Sequence, residues 1–319
     1  MKKRTFLKSM ALPLGLQALG SHAQDNQGRT IRIVVPLPAG SGNDFVARVI
    51  GPAASQILGQ PIIVDNKPGG NGVIGAMEVA RAAPDGLTLL CATNSHLATN
   101  VSLLKNLPYD PRRDFTPIGG AVVVAQMLVV SSTSPIRSFA EFIAYAKQRP
   151  GKIAVGYSTS VVQLQFMTLC KMAGIDLLLV PYKGNPAAMT DMLGGTIDAM
   201  LEIPGLALPY VQSGKIRILA SMSKRNPLFP DVPAAMETLP GFDFPLWNGF
   251  VGPAGMAREQ VMRLNAAIVH AQRQPDVAQK FNSSGQPPWI VTPDEMKAFI
   301  EAEVIKYQRL VKEAGIEPQ

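Results

Sequence analysis

Two cysteines and three histidines in 319 residues leave little material for a disulfide framework or a structural metal site. Disulfide-stapled folds carry several cysteine pairs, and zinc sites need His and Cys at short fixed spacings, which these histidines lack. Cys91 falls at a strand end and Cys170 in a helical pattern. An oxidising compartment would let them pair, but both read as buried free thiols. No G-x-S-x-G elbow and no spaced acid/base pair occurs, so a catalytic machine is not written in the chain. Beyond the first 23 residues no run of about 18 apolar residues exists. The longest such run, 121–130, is broken by Gln126 and is strand-like. Aromatics make up 6% and no basic cluster interleaves with them, which gives nucleic-acid binding no support.

What is present begins with Lys2, Lys3, Arg4 and Lys8, an apolar stretch over 10–19, and Ser21-His22-Ala23. A basic head, a short apolar segment and a small-x-small end form a signal peptide over 1–23, with Gln24 as the mature start and the periplasm as destination. Lys3-Arg4-Thr5-Phe6-Leu7-Lys8 is similar to a twin-arginine core with Lys for the first Arg, so Sec is the expected route over Tat. No cysteine stands at the cleavage point for a lipid anchor. Without the four basic residues of this leader, 26 Lys and Arg face 23 Asp and Glu, a net of +3 instead of +7. The sequence pI near 9.4 is therefore inflated by the leader.

A mature chain of this length exceeds one ordinary core and suggests two domains. A strand at 31–35 meets Pro36 and Pro38, then Ala39-Gly40-Ser41-Gly42-Asn43-Asp44, then a helix with Phe45, Val46, Val49, Ile50, Ala53 and Ile57 on one face, stopped by Gly59. A strand at 62–64, a helix over 72–83 and a strand at 87–92 complete βαβαβ. The grammar repeats with strands at 121–131, 153–157, 177–180, 197–201 and 216–221, and helices at 138–148, 163–173 and 186–193. After a Pro-rich stretch, 226–245, come a short strand at 250–251 and helices at 258–272 and 293–314. Such alternation predicts parallel sheets in two α/β lobes, with a ligand cleft at the carboxyl ends of the strands. The loop before the first helix is a ready anion site, since a helix N-terminus offers outward N–H groups and a favourable dipole.

Asp65-Asn66-Lys67-Pro68-Gly69-Gly70-Asn71-Gly72-Val73-Ile74-Gly75-Ala76, continuing to Pro84-Asp85-Gly86-Leu87-Thr88-Leu89-Leu90, is the most specific segment. It resembles a signature of the Bug or TctC-type extracytoplasmic solute receptors, the binding components of tripartite tricarboxylate transporters. Val180-Pro181-Tyr182-Lys183-Gly184, Thr190-Asp191-Met192-Leu193-Gly194-Gly195, Asp231-Val232-Pro233, Trp247-Asn248-Gly249 and Ala314-Gly315-Ile316 fit in order. The resemblance spans nearly the whole mature chain. It implies a bilobal type II periplasmic-binding-protein clamshell with crossings near 120–125 and 244–250. Lobe 1 would be 24–123 plus 246–319, and lobe 2 would be 124–245. It also implies a small organic anion (a di- or tricarboxylate, an amino acid or an aromatic acid), held by main-chain groups and waters. Membrane subunits of the transporter would be the protein partners, and the receptor a monomer without cofactor or metal.

Candidate ligand contacts follow from both lines. Pro38, Ala39, Gly40, Ser41 and Asn43 resemble the family's P-A-G-G-x-x-D loop, with Ser41 for the second Gly; Ser41-x-x-Asp44 also reads as a capping box. Asp44 would orient the loop and pair with Arg48, since a carboxylate repels an anionic ligand. Thr93, Asn94 and Ser95 follow the third strand and offer hydroxyl and amide donors, or satisfy their own loop. Ser158, Thr159 and Ser160 precede the second-lobe helix. The family has a longer glycine-rich loop here, with a His shortly into the helix; this chain is shorter and has Gln163 in that place. Asp198 could accept from a ligand ammonium or hydroxyl, or be a buried strand-end carboxylate. A binding protein, not an enzyme, is the reading. The alternatives are a periplasmic sensor for a two-component system, and a secreted hydrolase using Ser95 or Ser160.

Overall fold

A computed structural model describes residues 28–313 and 315–318, so the proposed leader, 1–23, lies outside the described residues. Strand β1 (Ile31–Val35) runs into α1 (Gly42–Leu58), β2 (Ile62–Asn66), α2 (Val73–Ala80) and β3 (Thr88–Thr93). A π-helical turn (Ser95–Thr99) and α3 (Asn100–Leu103) lead to β4 (Phe115–Ala125) and β5 (Met127–Ser131). Then come α4 (Phe139–Gln148), β6 (Ile153–Tyr157), α5 (Ser160–Ala173), β7 (Leu177–Pro181), α6 (Asn185–Leu193), β8 (Ala199–Glu202), α7 (Pro204–Gln212) and β9 (Ile216–Ser221). The chain ends with α8 (Ala235–Thr238), β10 (Pro245–Pro253), α9 (Arg258–Arg273), α10 (Pro275–Ser283) and α11 (Pro293–Glu313).

These strands form two five-stranded sheets, β2-β1-β3-β10-β4 and β7-β6-β8-β5-β9. The sheets are mixed, not parallel as the alternation suggested: β10 runs antiparallel to β3 and β4, and β5 antiparallel to β8 and β9. The crossings are the reason. β4 ends at the cleft edge of its sheet, Gln126 alone links it to β5, and β5 enters the second sheet from that sheet's cleft edge. It must then oppose strands whose carboxyl ends face the cleft. The apparent single strand over 121–131 is thus two strands in two lobes. β10 returns the same way, and its nine residues far exceed the 250–251 strand expected. Pro245, Asn248, Gly249 and Pro253 break up its apolar run, although residues 246–253 are buried.

Local signals explain α1. Ser41 caps it, its Oγ accepting from Asp44 N at 3.3 Å, and Gly59 ends it at a φ of 64°, a left-handed conformation that suits glycine. Its buried face, Val46, Ala47 and Ile50, packs with Ile33 and Val35 of β1 and with Leu264 and Ile268 of α9. Helix α7 went unseen because of Pro204 and Pro209, yet Pro204 stands at the helix start, where its missing N–H costs nothing.

The lobes are closed. One buried apolar cluster runs from Val34, Leu90 and Leu97 through Val161 and Leu164 to Leu201. Ser160 Oγ donates to Asn100 Oδ1 at 2.5 Å and Val161 N to Ser95 Oγ at 3.2 Å. Elsewhere along the seam Gly205 N donates to Ser284 O at 2.9 Å and Asn226 Nδ2 to Gly285 O at 3.0 Å. Cys91 and Cys170 are both free; Cys91 is buried as expected, but Cys170 only half-buried.

Candidate functional site

Closure leaves a cavity of about 40 Å3 between the lobes, far below the ~300–1,000 Å3 of ordinary small-molecule pockets. Ser41, Gly42, Asn43 and Thr93 line it from the first lobe, and Ser158, Thr159, Val162 and Asn185 from the second. Gln126, between β4 and β5, and Asn248, in β10, close its sides. Among the described residues no charged side chain lines it.

Two helix N-termini meet there. The N–H groups of Gly42 and Asn43 in α1, and of Val162 in α5, have no acceptor among the described residues. These are the orphan first-turn donors every helix has, and they carry its positive pole. Thr159 Oγ1 and Asn248 Oδ1 are buried without a partner among the described residues. Ser158 Oγ donates to Asn185 Oδ1 at 2.7 Å, and Asn185 Nδ2 donates to Leu201 O and to Glu202 Oε1, each at 3.0 Å. Glu202 also accepts from Ile203 N at 2.8 Å. Burial pushes its carboxyl up to about 7, although the hydrogen bonds from Ile203 and Asn185 oppose the rise.

Among the anticipated contacts, Ser41, Asn43, Thr93, Ser158 and Thr159 line the cavity. Asn43 is tied by its side chain, with Nδ2 donating to Cys91 O at 2.6 Å and Oδ1 accepting from Asn248 Nδ2. The others lie elsewhere. Ala39 and Gly40 are exposed on the rim, and Gly40 N donates to Asp44 Oδ2 at 3.0 Å instead of facing a ligand. Pro38 packs against Gly184, where a Cβ would come within 2.8 Å of the proline ring. Asn94 is wholly buried, its Nδ2 donating to Tyr307 Oη at 2.8 Å. Ser95 and Ser160 are engaged in the interlobe bonds already described. Asp198 stands just before β8, at the end of the sheet remote from the cleft, exposed, with Oδ2 accepting from Ala154 N at 2.8 Å. It is neither buried nor at the cavity, because residues at the amino ends of parallel strands face away from the cleft. Gln163, within the first turns of α5, is buried and does not line the cavity.

Asp44 holds the loop together. Besides Gly40 N, its carboxylate accepts from Arg48 Nε at 2.9 Å and Asn66 Nδ2 at 3.0 Å. Burial alone would raise its pKa, but these three donors outweigh burial and hold it below the usual range. His96 makes no hydrogen bond to Ser95 among the described residues. Its Nδ1 accepts from Thr93 N at 3.0 Å, and burial pushes its pKa down to about 3, so the ring stays neutral. Of the lining residues not anticipated, Gln126 was visible as the polar break in an apolar run, and Asn248 as part of Trp247-Asn248-Gly249. Asn185 carried no signal beyond following Lys183-Gly184.

Leu37 and Ser158 also border an outer chamber of about 580 Å3. Its walls are the 68–72 turn of the first lobe and Pro181, Tyr182 and Lys183 of the second.

Residues 46–316 match the family described as the tripartite tricarboxylate transporter family receptor. The periplasmic binding protein BugD superposes with a TM-score of 0.86 at 31% identity, covering 91% of this chain and 99% of its own. Rpa4515 of R. palustris, solved with adipate, gives a TM-score of 0.87 at 31% identity, over 91% of this chain and 98% of its own. MatC from Rhodopseudomonas palustris, solved with bound malate, gives 0.84 at 30% identity, over 88% and 98%. With two mixed α/β lobes, closed over a cavity between two helix N-termini, and this match over most of its length, the chain belongs to the TctC family of tripartite tricarboxylate transporter receptors.

Proposed function

We propose that this protein captures a small organic carboxylate between its lobes in the periplasm and presents it to the membrane subunits of a tripartite tricarboxylate-type transporter. One observation carries the reading: two helix N-termini with unpartnered N–H groups converge on a cavity whose polar lining, among the described residues, is hydroxyls and amides without a charged side chain. Such a cradle favours an anion and holds it through neutral donors. The adipate and malate of the two related structures are small carboxylates and support the same class. The shut cavity is too small for either, so loading requires the lobes to part. The hinge is the pair of crossings, where Met222 N donates to Gln126 O at 2.8 Å and Phe244 N to Met222 O at 3.0 Å. Export follows from the basic-apolar-small order of residues 1–23, and the receptor acts as a monomer without turnover.

The test is a thermal-shift screen of dicarboxylates, tricarboxylates, amino acids and aromatic acids, with NMR of each mixture that responds. A binder at about 100-fold above its dissociation constant stabilises by about 2.7 kcal/mol and remains chemically intact. Consumption of the ligand would sink the receptor reading, as would the absence of any stabilising carboxylate.

A further inference from the structure

The inner cavity and the outer chamber differ in one chemical respect. Among the described residues the inner lining has no formal charge, whereas the outer chamber has a single one, the Lys183 ammonium. The two spaces adjoin, with Leu37 and Ser158 lining both. Lys183 makes no ion pair with any described residue and is exposed. Its base is held in place from both sides. Tyr182 donates its hydroxyl to Asp191 Oδ2 at 2.7 Å, and Gly184 lies tight under Pro38 of the opposite lobe. Across the chamber, the N–H groups of Gly70 and Asn71 have no acceptor among the described residues.

We propose that the outer chamber is the subsite for a second anionic group, and that Lys183 is the specificity-determining residue that selects α,ω-dicarboxylates over monocarboxylates of equal length. This rests on the inner cavity receiving one carboxylate. The ligand then lies with one end among the neutral donors of the two helices. Its methylene chain passes the Leu37 side chain, and its far carboxylate meets Lys183. A monocarboxylate leaves the ammonium to water and gains nothing from the chamber. Charge and not length alone sets the preference.

Calorimetry on pairs of equal chain length decides it, from succinate to suberate, each against the matching monocarboxylate. Wild type, Lys183→Met and Lys183→Arg are compared after circular dichroism has shown each folded. Wild type should prefer the diacid. Lys183→Met should lose about 10- to 100-fold in diacid affinity, as expected for a hydrogen bond between charged groups. Its monoacid affinity should not change, and Lys183→Arg should keep the preference. An undiminished diacid preference in folded Lys183→Met overturns the assignment of Lys183. Failure of every acid to bind wild type would instead overturn the receptor reading beneath it, and the proposal with it.

Discussion

Replacing Glu202 by Gln should change how stability depends on pH, by an amount the structure lets one work out. The carboxyl is fully enclosed behind Asn185 and Ile203, and its pKa stands at about 7 against an ordinary 4.5. Below about 4.5 the group is protonated both folded and unfolded and costs nothing. As pH rises from there to about 7, the unfolded chain loses the proton while the folded chain keeps it, so the unfolded state gains. The loss levels off above about 7 at roughly 3 kcal/mol, from 1.36 kcal/mol for each pH unit separating the two pKa values. Gln keeps the carbonyl oxygen that Asn185 and Ile203 donate to, and it never ionises. Its amide brings a constant cost if unpaired, so the absolute difference between the proteins is less informative than its slope. Urea unfolding of both at pH 4.5 to 8 gives that slope. The stability difference should move by about 3 kcal/mol in favour of Glu202→Gln across the interval. Parallel profiles would refute the reasoning, and would mean that the carboxyl ionises as readily in the folded protein as in the unfolded chain.

Dicarboxylate affinity should strengthen as pH falls through about 7, because an anion beside Asn185 favours protonated Glu202; calorimetry across that range checks it, and Glu202→Gln should flatten the trend. Thr159→Val removes a buried hydroxyl that has no partner among the described residues. It should leave unliganded stability nearly unchanged while weakening carboxylate binding about tenfold, read by thermal shift and calorimetry. Asp44→Asn should cost about 1–2 kcal/mol at neutral pH by loosening the bonds to Gly40, Arg48 and Asn66. Because its folded pKa is depressed, that advantage of wild type should fade as pH falls below the usual carboxylate range, in denaturant titrations of both proteins. Gly184→Val should hold the lobes apart against the Pro38 ring and lower affinity at least about tenfold, a cost typical of overpacking a tight contact. Small-angle scattering of the unliganded variant should show a larger radius of gyration than wild type.

The alternation of strands and helices, both ends of α1 and the unpaired N–H groups of its first turn could all be read from the chain. Each rests on signals within a few residues: Ser41 and Asp44 at one end, Gly59 at the other, apolar positions at helical spacing between. The signature around Asp65–Ala76 added the lobed architecture by resemblance, without placing a single side chain. Tertiary structure decided the rest. Asn43 meets Asn248, 205 positions away, and Asn94 meets Tyr307, 213 positions away. Asp198 and Glu202 are four residues apart on one strand's course, yet one is exposed at the far edge and the other enclosed at the cleft. Caps and periodicity depend on a residue's own neighbours, so they can be read locally. Which end of a sheet opens on the cleft, and which donors reach a buried carboxylate there, depends on strands brought together from distant parts of the chain.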